Sequence, residues 1–117
     1  MDDGSGWFYV AEDSKMNTFI IGTTPTIKYT FSEVSVEDIT TAVLTVKKGG
    51  TIVIEKELTD AVVGESDLSW TLTQSDTLSL GTGIGSIMLN WKLADGTRGA
   101  SEECNVRLDD NHKAEVI

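Results

Sequence analysis

In SIMLNWKLA, residues 86–94, apolar and polar positions alternate. Ile87, Leu89, Trp91 and Leu93 share one face, and Ser86, Met88, Asn90 and Lys92 share the other. A period of two held over this length predicts a half-buried strand. Leu68, Trp70 and Leu72 repeat the pattern, as do Ile27, Tyr29 and Phe31. In ASEECNVRL, Ala100, Cys104, Val106 and Leu108 share one parity and Glu102 breaks it. TTAVLTVKK is rich in β-branched residues, which favour strands. Turn residues stand between these runs. Gly49-Gly50 reads as a tight hairpin turn, and Asp95-Gly96 marks a second hairpin.

The pattern predicts strands near 7–11, 17–21, 26–31, 39–47, 51–56, 68–72, 86–94 and 98–108. Two short helical turns are expected. One covers 35–38, with Ser35 as cap and Asp38 three residues on. The other covers 73–80, with Thr73 as cap and Gly81 as terminator. Seven or eight short strands in 117 residues argue an all-β chain folded as one antiparallel β-sandwich. Trp70 and Trp91 take core parity.

The sandwich is expected over 16–108, with a tail at 109–117 and an N-terminal arm at 1–15. Met16, where the domain proper begins, is a second candidate start. The arm is polar except for Trp7, Phe8, Tyr9 and Val10. Such an arm is ordered only when something holds it. These four residues are therefore the candidate partner-binding group, docking on a neighbouring subunit or on the chain's own domain.

Charge narrows the partners. Nineteen acidic residues against nine basic ones give a net charge of -10, spread along the chain. That charge repels phosphate backbones and anionic lipid, so neither nucleic acid nor a membrane is an expected partner. No apolar run is long enough to span a bilayer, and the acidic N-terminus does not read as a Sec-type signal. Synthesis and assembly in a host cytoplasm are expected.

Candidate chemistry is sparse, and no enzyme and no cofactor are expected. Cys104 is the single cysteine, so no internal disulfide forms, and its alternating context reads as a strand residue packed like a small hydrophobe. GTGIG, residues 81–85, resembles a phosphate loop but leads into a strand instead of opening a helix. His112 stands in the tail, where nothing fixes it. Asp109, Asp110 and Asn111 offer clustered oxygens without the glycine and spaced glutamate of a calcium loop. Glu102 and Glu103 fall on opposite faces of the expected last strand. A sugar platform has Trp7, Phe8, Tyr9 and Tyr29 as its candidates. GTTPT, residues 22–26, reads as a turn: Pro25 fixes its own φ and the threonine hydroxyls satisfy turn backbone groups.

FIIGTTPTIKYTF, ITTAVLTVKKGGTIVIEK, SWTLTQSDTLSL and LADGTRGASEECNVRL together resemble a family of small proteins of phages of Gram-positive and gut bacteria. They are also similar to the N-terminal immunoglobulin-like domain of phage baseplate upper proteins. The resemblance covers about residues 16–108 and rests on turn and core patterning. It implies an immunoglobulin-like sandwich in a non-enzymatic virion structural protein, associated with the tail or baseplate. Its partners are then other virion proteins and further copies of the chain. Set against that family, the sequence lacks the helical and receptor-facing parts and carries the Trp7 arm in front. Capsid decoration, a head–tail accessory role and a glycan- or host-surface-binding module are the alternatives.

Overall fold

The computed structural model describes the backbone of residues 6–10 and the whole of residues 18–32 and 34–110. Ten strands and one α-helix stand among these residues. In chain order they are β1 (Gly6–Val10), β2 (Thr18–Ile20), β3 (Thr26–Phe31), β4 (Ile39–Lys48), β5 (Thr51–Glu57), β6 (Val62–Val63), β7 (Asp67–Thr71), α1 (Gln74–Leu80), β8 (Gly83–Leu93), β9 (Arg98–Ala100) and β10 (Cys104–Asp109). Single 3-10 turns cover Val36–Asp38 and Leu58–Asp60.

The first sheet has the order β1-β3-β7-β6, and the second runs β2-β10-β8-β4-β5 with β9 also on β8. All pairs are antiparallel except β2 with β10, which is parallel. That pair departs from the all-antiparallel expectation: β2 enters the second sheet beside the last strand and runs the same way.

Strand alternation decides what lies between the sheets. Ile27, Tyr29 and Phe31 of β3 and Leu68 and Trp70 of β7 share one buried cluster with Leu44 and Val46 of β4, Ile87, Leu89 and Trp91 of β8, and Val106 and Leu108 of β10. The two inner faces interlock through rings: Phe31 meets Trp91 edge-on at a centroid distance of 5.0 Å, and Tyr29 meets Trp91 at 5.8 Å. Two sheets closing on one core make the chain an all-β structure compatible with a sandwich.

The hairpin between β4 and β5 turns on Gly49 and Gly50, whose φ angles of 62° and 82° are those a type I′ turn needs at both central positions. α1 begins where the sequence expects. The Thr73 hydroxyl accepts the Asp76 N–H at 3.0 Å, and the Asp76 carboxylate accepts the Thr73 N–H at 2.9 Å. Gly81, at φ 70°, ends the helix. The other expected cap does not form: Ser35 makes no side-chain cap bond, and the turn is held by burial of Val36.

The expected strand at 98–108 is two strands. Asn90 pairs with Ala100 and Ile87 with Cys104, so three residues, 101–103, lie opposite two on β8. That extra residue is a bulge. Ser101 fixes it, its N–H donating to the Leu89 carbonyl at 2.8 Å and its hydroxyl accepting the Leu89 N–H at 2.9 Å. Glu102 and Glu103 therefore sit exposed in the bulge, not on two faces of a strand.

Candidate interaction surface

A sheet ends in strands whose outer backbone groups have no ladder partner, and these are natural docking edges unless something blunts them. The described residues give five such strands: β1 and β6 in the first sheet, and β2, β5 and the three-residue β9 in the second. They differ in how well they are guarded. β6 has two residues, Val62 and Val63, both exposed, and β2 has three. β5 is long but irregular: the ladder with β4 shifts register between Val46 and Lys47. Its exposed side chains include Glu55 and Glu57 beside Ile52 and Val53. A bulge and charges on an edge both discourage another strand from adding.

β5 is also tied down from behind. The Trp70 indole N–H donates to the Glu57 carbonyl at 3.0 Å, linking the end of β5 to the opposite sheet. Lys56 pairs with Asp76 of α1 at 3.1 Å. Partial burial raises the Asp76 pKa, but the Thr73 N–H, the Lys56 ammonium and the Thr73 hydroxyl together hold the carboxyl below its ordinary value.

β1 carries the residues singled out in the sequence. Trp7, Phe8, Tyr9 and Val10 fall together on this strand, within the 1–15 arm, and the strand ladders onto β3 of the same chain. The register is unbroken: Gly6 pairs with Phe31, Trp7 with Thr30, Phe8 with Tyr29, Tyr9 with Lys28 and Val10 with Ile27. GWFYV contains no charge, no proline and no bulge.

The other sequence candidates are scattered. Tyr29 is 1 % exposed, which removes it as a sugar platform. Asp109 accepts from Arg107 Nε at 2.8 Å, while Asn111 and His112 lie outside the described residues. Cys104 is half-buried at the margin of the core, and burial pushes its thiol pKa up, which disfavours the thiolate. Asp95 is held low by the Thr97 N–H in the β8–β9 hairpin, at the opposite end of β8 from α1. GTGIG does not stop at the approach to a strand, for Gly83, Ile84 and Gly85 are the first residues of β8. A Cβ at Gly85 would stand 3.0 Å from the Lys47 carbonyl, so close strand approach explains that glycine. Among the described residues no group of three or more His, Cys, Asp or Glu side chains is placed to hold a metal, and no helix is long and apolar enough to cross a membrane.

GTTPT is held by a residue the sequence reading missed. Thr77 of α1 is fully buried; its hydroxyl accepts the Gly22 N–H at 2.9 Å and bonds the Thr23 carbonyl at 2.9 Å. The Thr23 hydroxyl donates to the Ile20 carbonyl at 2.6 Å, and the Pro25 carbonyl accepts the Leu72 N–H at 2.9 Å. The turn thus spends its polar groups on the fold. Thr77 sits four residues after the Thr73 cap, on the inward side of a seven-residue helix, a position that its spacing from Leu80 made readable. No protein-family model matches the chain, and no curated protein matches it in sequence.

Proposed function

We propose that the chain is a non-enzymatic structural protein of a phage virion, associated with the tail or baseplate. It is an immunoglobulin-like sandwich that assembles through its sheet edges and its N-terminal strand. The observation that carries this reading is the strand arrangement. Lettered in chain order with β1 and β2 as two halves, A and A′, of a first strand and β9 and β10 as one last strand, the sheets become A-B-E-D and A′-G-F-C-C′. That division is the one an immunoglobulin-like domain uses. The motifs behind the phage resemblance fall on its connections: GTTPT joins β2 to β3, TQSDTLSL contains the capped α1, and the Asp95-Gly96 turn joins β8 to β9.

The site chemistry supports a scaffold. The displaced titrations of Asp76, Asp95 and Cys104 arise in a cap, a hairpin and a strand at three separate places, each from local hydrogen bonding or burial. The test is direct. Antibody raised against the purified chain is applied to density-purified phage particles from the source of the sequence. Copies that co-purify with intact tails support the reading, and particles free of the protein contradict it.

A further inference from the structure

We infer that Lys92 and Arg98, on the outer face of the second sheet, receive a carboxylate: an Asp or Glu side chain presented by a neighbouring protein. The inference names the chemistry of one contact in the proposed assembly and rests on that reading for the setting of the neighbour.

β8 and β9 set the two cations directly opposite each other. Trp91, between Asn90 and Lys92, is buried, so alternation puts Asn90 and Lys92 on the outer face, with Ala100 and Arg98 across from them. Like charges directly opposite in a ladder are unfavourable. In a chain with nineteen acidic residues, carboxylates are at hand to relieve this. Lys56 and Arg107 each take one, at 3.1 Å and 2.8 Å. Lys92 and Arg98 take none among the described residues. Thr41, Val43, Asn90 and Ala100 surround them on the sheet, and none carries a charge. Asp95, in the connecting hairpin, accepts the Thr97 N–H instead.

The net charge of -10 does not decide the matter at this place. Glu57 stands opposite Val43, so it lies two strands from Lys92 and three from Arg98. At the usual strand spacing that is roughly 10–14 Å. Screening at physiological ionic strength acts over about 8 Å. A carboxylate in contact with both cations therefore feels them more strongly than it feels the distant acids.

Shape agrees with charge. Asn90, Trp91, Arg98, Gly99 and Ala100 line a cavity of about 250 Å³. That is room for one acidic side chain. The guanidinium, the ammonium and the Asn90 amide all supply donors. Trp91 is 5 % exposed, and its indole N–H has no acceptor among the described residues. A planar carboxylate matches the arginine fork with two parallel bonds, with the lysine as a point charge beside it.

The experiment titrates an acetylated Ser-Glu-Ser-Glu-Ser amide into the isotope-labelled full chain at about 0.15 M salt, read by amide chemical shifts. The amides of 90–92 and 98–100 are expected to shift, with a dissociation constant on the order of 1 mM. The same peptide with Gln for Glu is expected to shift none of them. Lys92→Gln with Arg98→Gln is expected to weaken binding at least about fivefold. Its melting temperature is expected to equal or exceed that of wild type, because an unfavourable opposition is gone. Lys28→Gln with Lys47→Gln removes the same charge elsewhere and is expected to bind like wild type. No shift at these residues up to about 10 mM peptide overturns the proposal. So does a Gln peptide that shifts them equally, a Lys92/Arg98 variant that binds like wild type, or a Lys28/Lys47 variant that binds as weakly. A Lys92/Arg98 variant that melts lower shows the pair to serve the fold and also overturns it. Acetate that gives the same shifts at matched carboxylate concentration overturns a protein-presented source. None of these results touches the particle test above: a protein found in tails whose Lys92 and Arg98 ignore carboxylates keeps its structural role and loses this contact.

Discussion

The two long edge strands, β5 and β1, are built in opposite ways. β5 is anchored from three directions: by its ladder with β4, by the Trp70 indole on the Glu57 carbonyl, and by Lys56 on Asp76. Its register shift and glutamates then discourage further pairing. β1 is described by its ladder with β3, and its sequence carries none of those guards. The difference teaches where assembly is to be sought. The tied-down edge and the edge that has no second ladder partner among the described residues belong to the two different sheets around one core.

The largest effect is expected where the closed edge meets the core. Trp70→Ala removes a side chain only 1 % exposed together with the bond that ties down β5. A loss of about 3–5 kcal/mol is expected, read by chemical denaturation. Amide exchange along β5 is expected to rise well above that along β3. Next comes the turn that carries β3, the strand on which β1 rests. Thr77→Val keeps the volume but leaves the Gly22 N–H without its buried acceptor. It is expected to cost about 1–3 kcal/mol, measured the same way.

Removing the open edge separates folding from assembly. A chain that starts at Met16 lacks β1 and is expected to keep a cooperative melt while losing all concentration-dependent gain in mass. If the closed edge is instead opened, with Glu55→Val and Glu57→Val, new self-association is expected through β5. The measurement is light scattering on the Met16 chain carrying both changes.

The smallest effect belongs to the link between β5 and α1. Asp76 has a folded pKa below its ordinary value of 3.8, so its stabilising contribution is present above that value and is lost as pH falls through the lowered one. Asp76→Asn is expected to cost below about 1 kcal/mol at neutral pH. Its melting temperature is then expected to converge on that of wild type in acid, below the lowered pKa, where both carry a neutral side chain.

Much of the fold was legible because strand period and turn chemistry agree. Thr26–Phe31 has its expected bounds, and the Gly49-Gly50 turn and the Thr73 cap form as read. The last strand was misread for a reason visible in the pattern. Glu102 breaks the parity of Ala100 and Cys104, and the bulge at Ser101 is what that break records: register places Ala100 opposite exposed Asn90 and Cys104 opposite buried Ile87. β6 escaped because two valines are too short a run to show a period. The Ser35 cap was a false signal, since a matching residue pair does not force a hydrogen bond. The WFYV patch was legible as a candidate, but its partner strand was not, because pairing with β3 joins residues about twenty apart with no local signature.

The most direct test of β1 as the open edge is residue-resolved amide exchange over Gly6–Val10 at two concentrations. In a strand laddered on one side, alternate amides point away from β3. The expected result is that the β3-facing amides stay protected at both concentrations while the outward ones gain protection as the concentration rises. Outward amides that exchange at the same rate at about 10 µM and about 1 mM would contradict assembly of copies through β1.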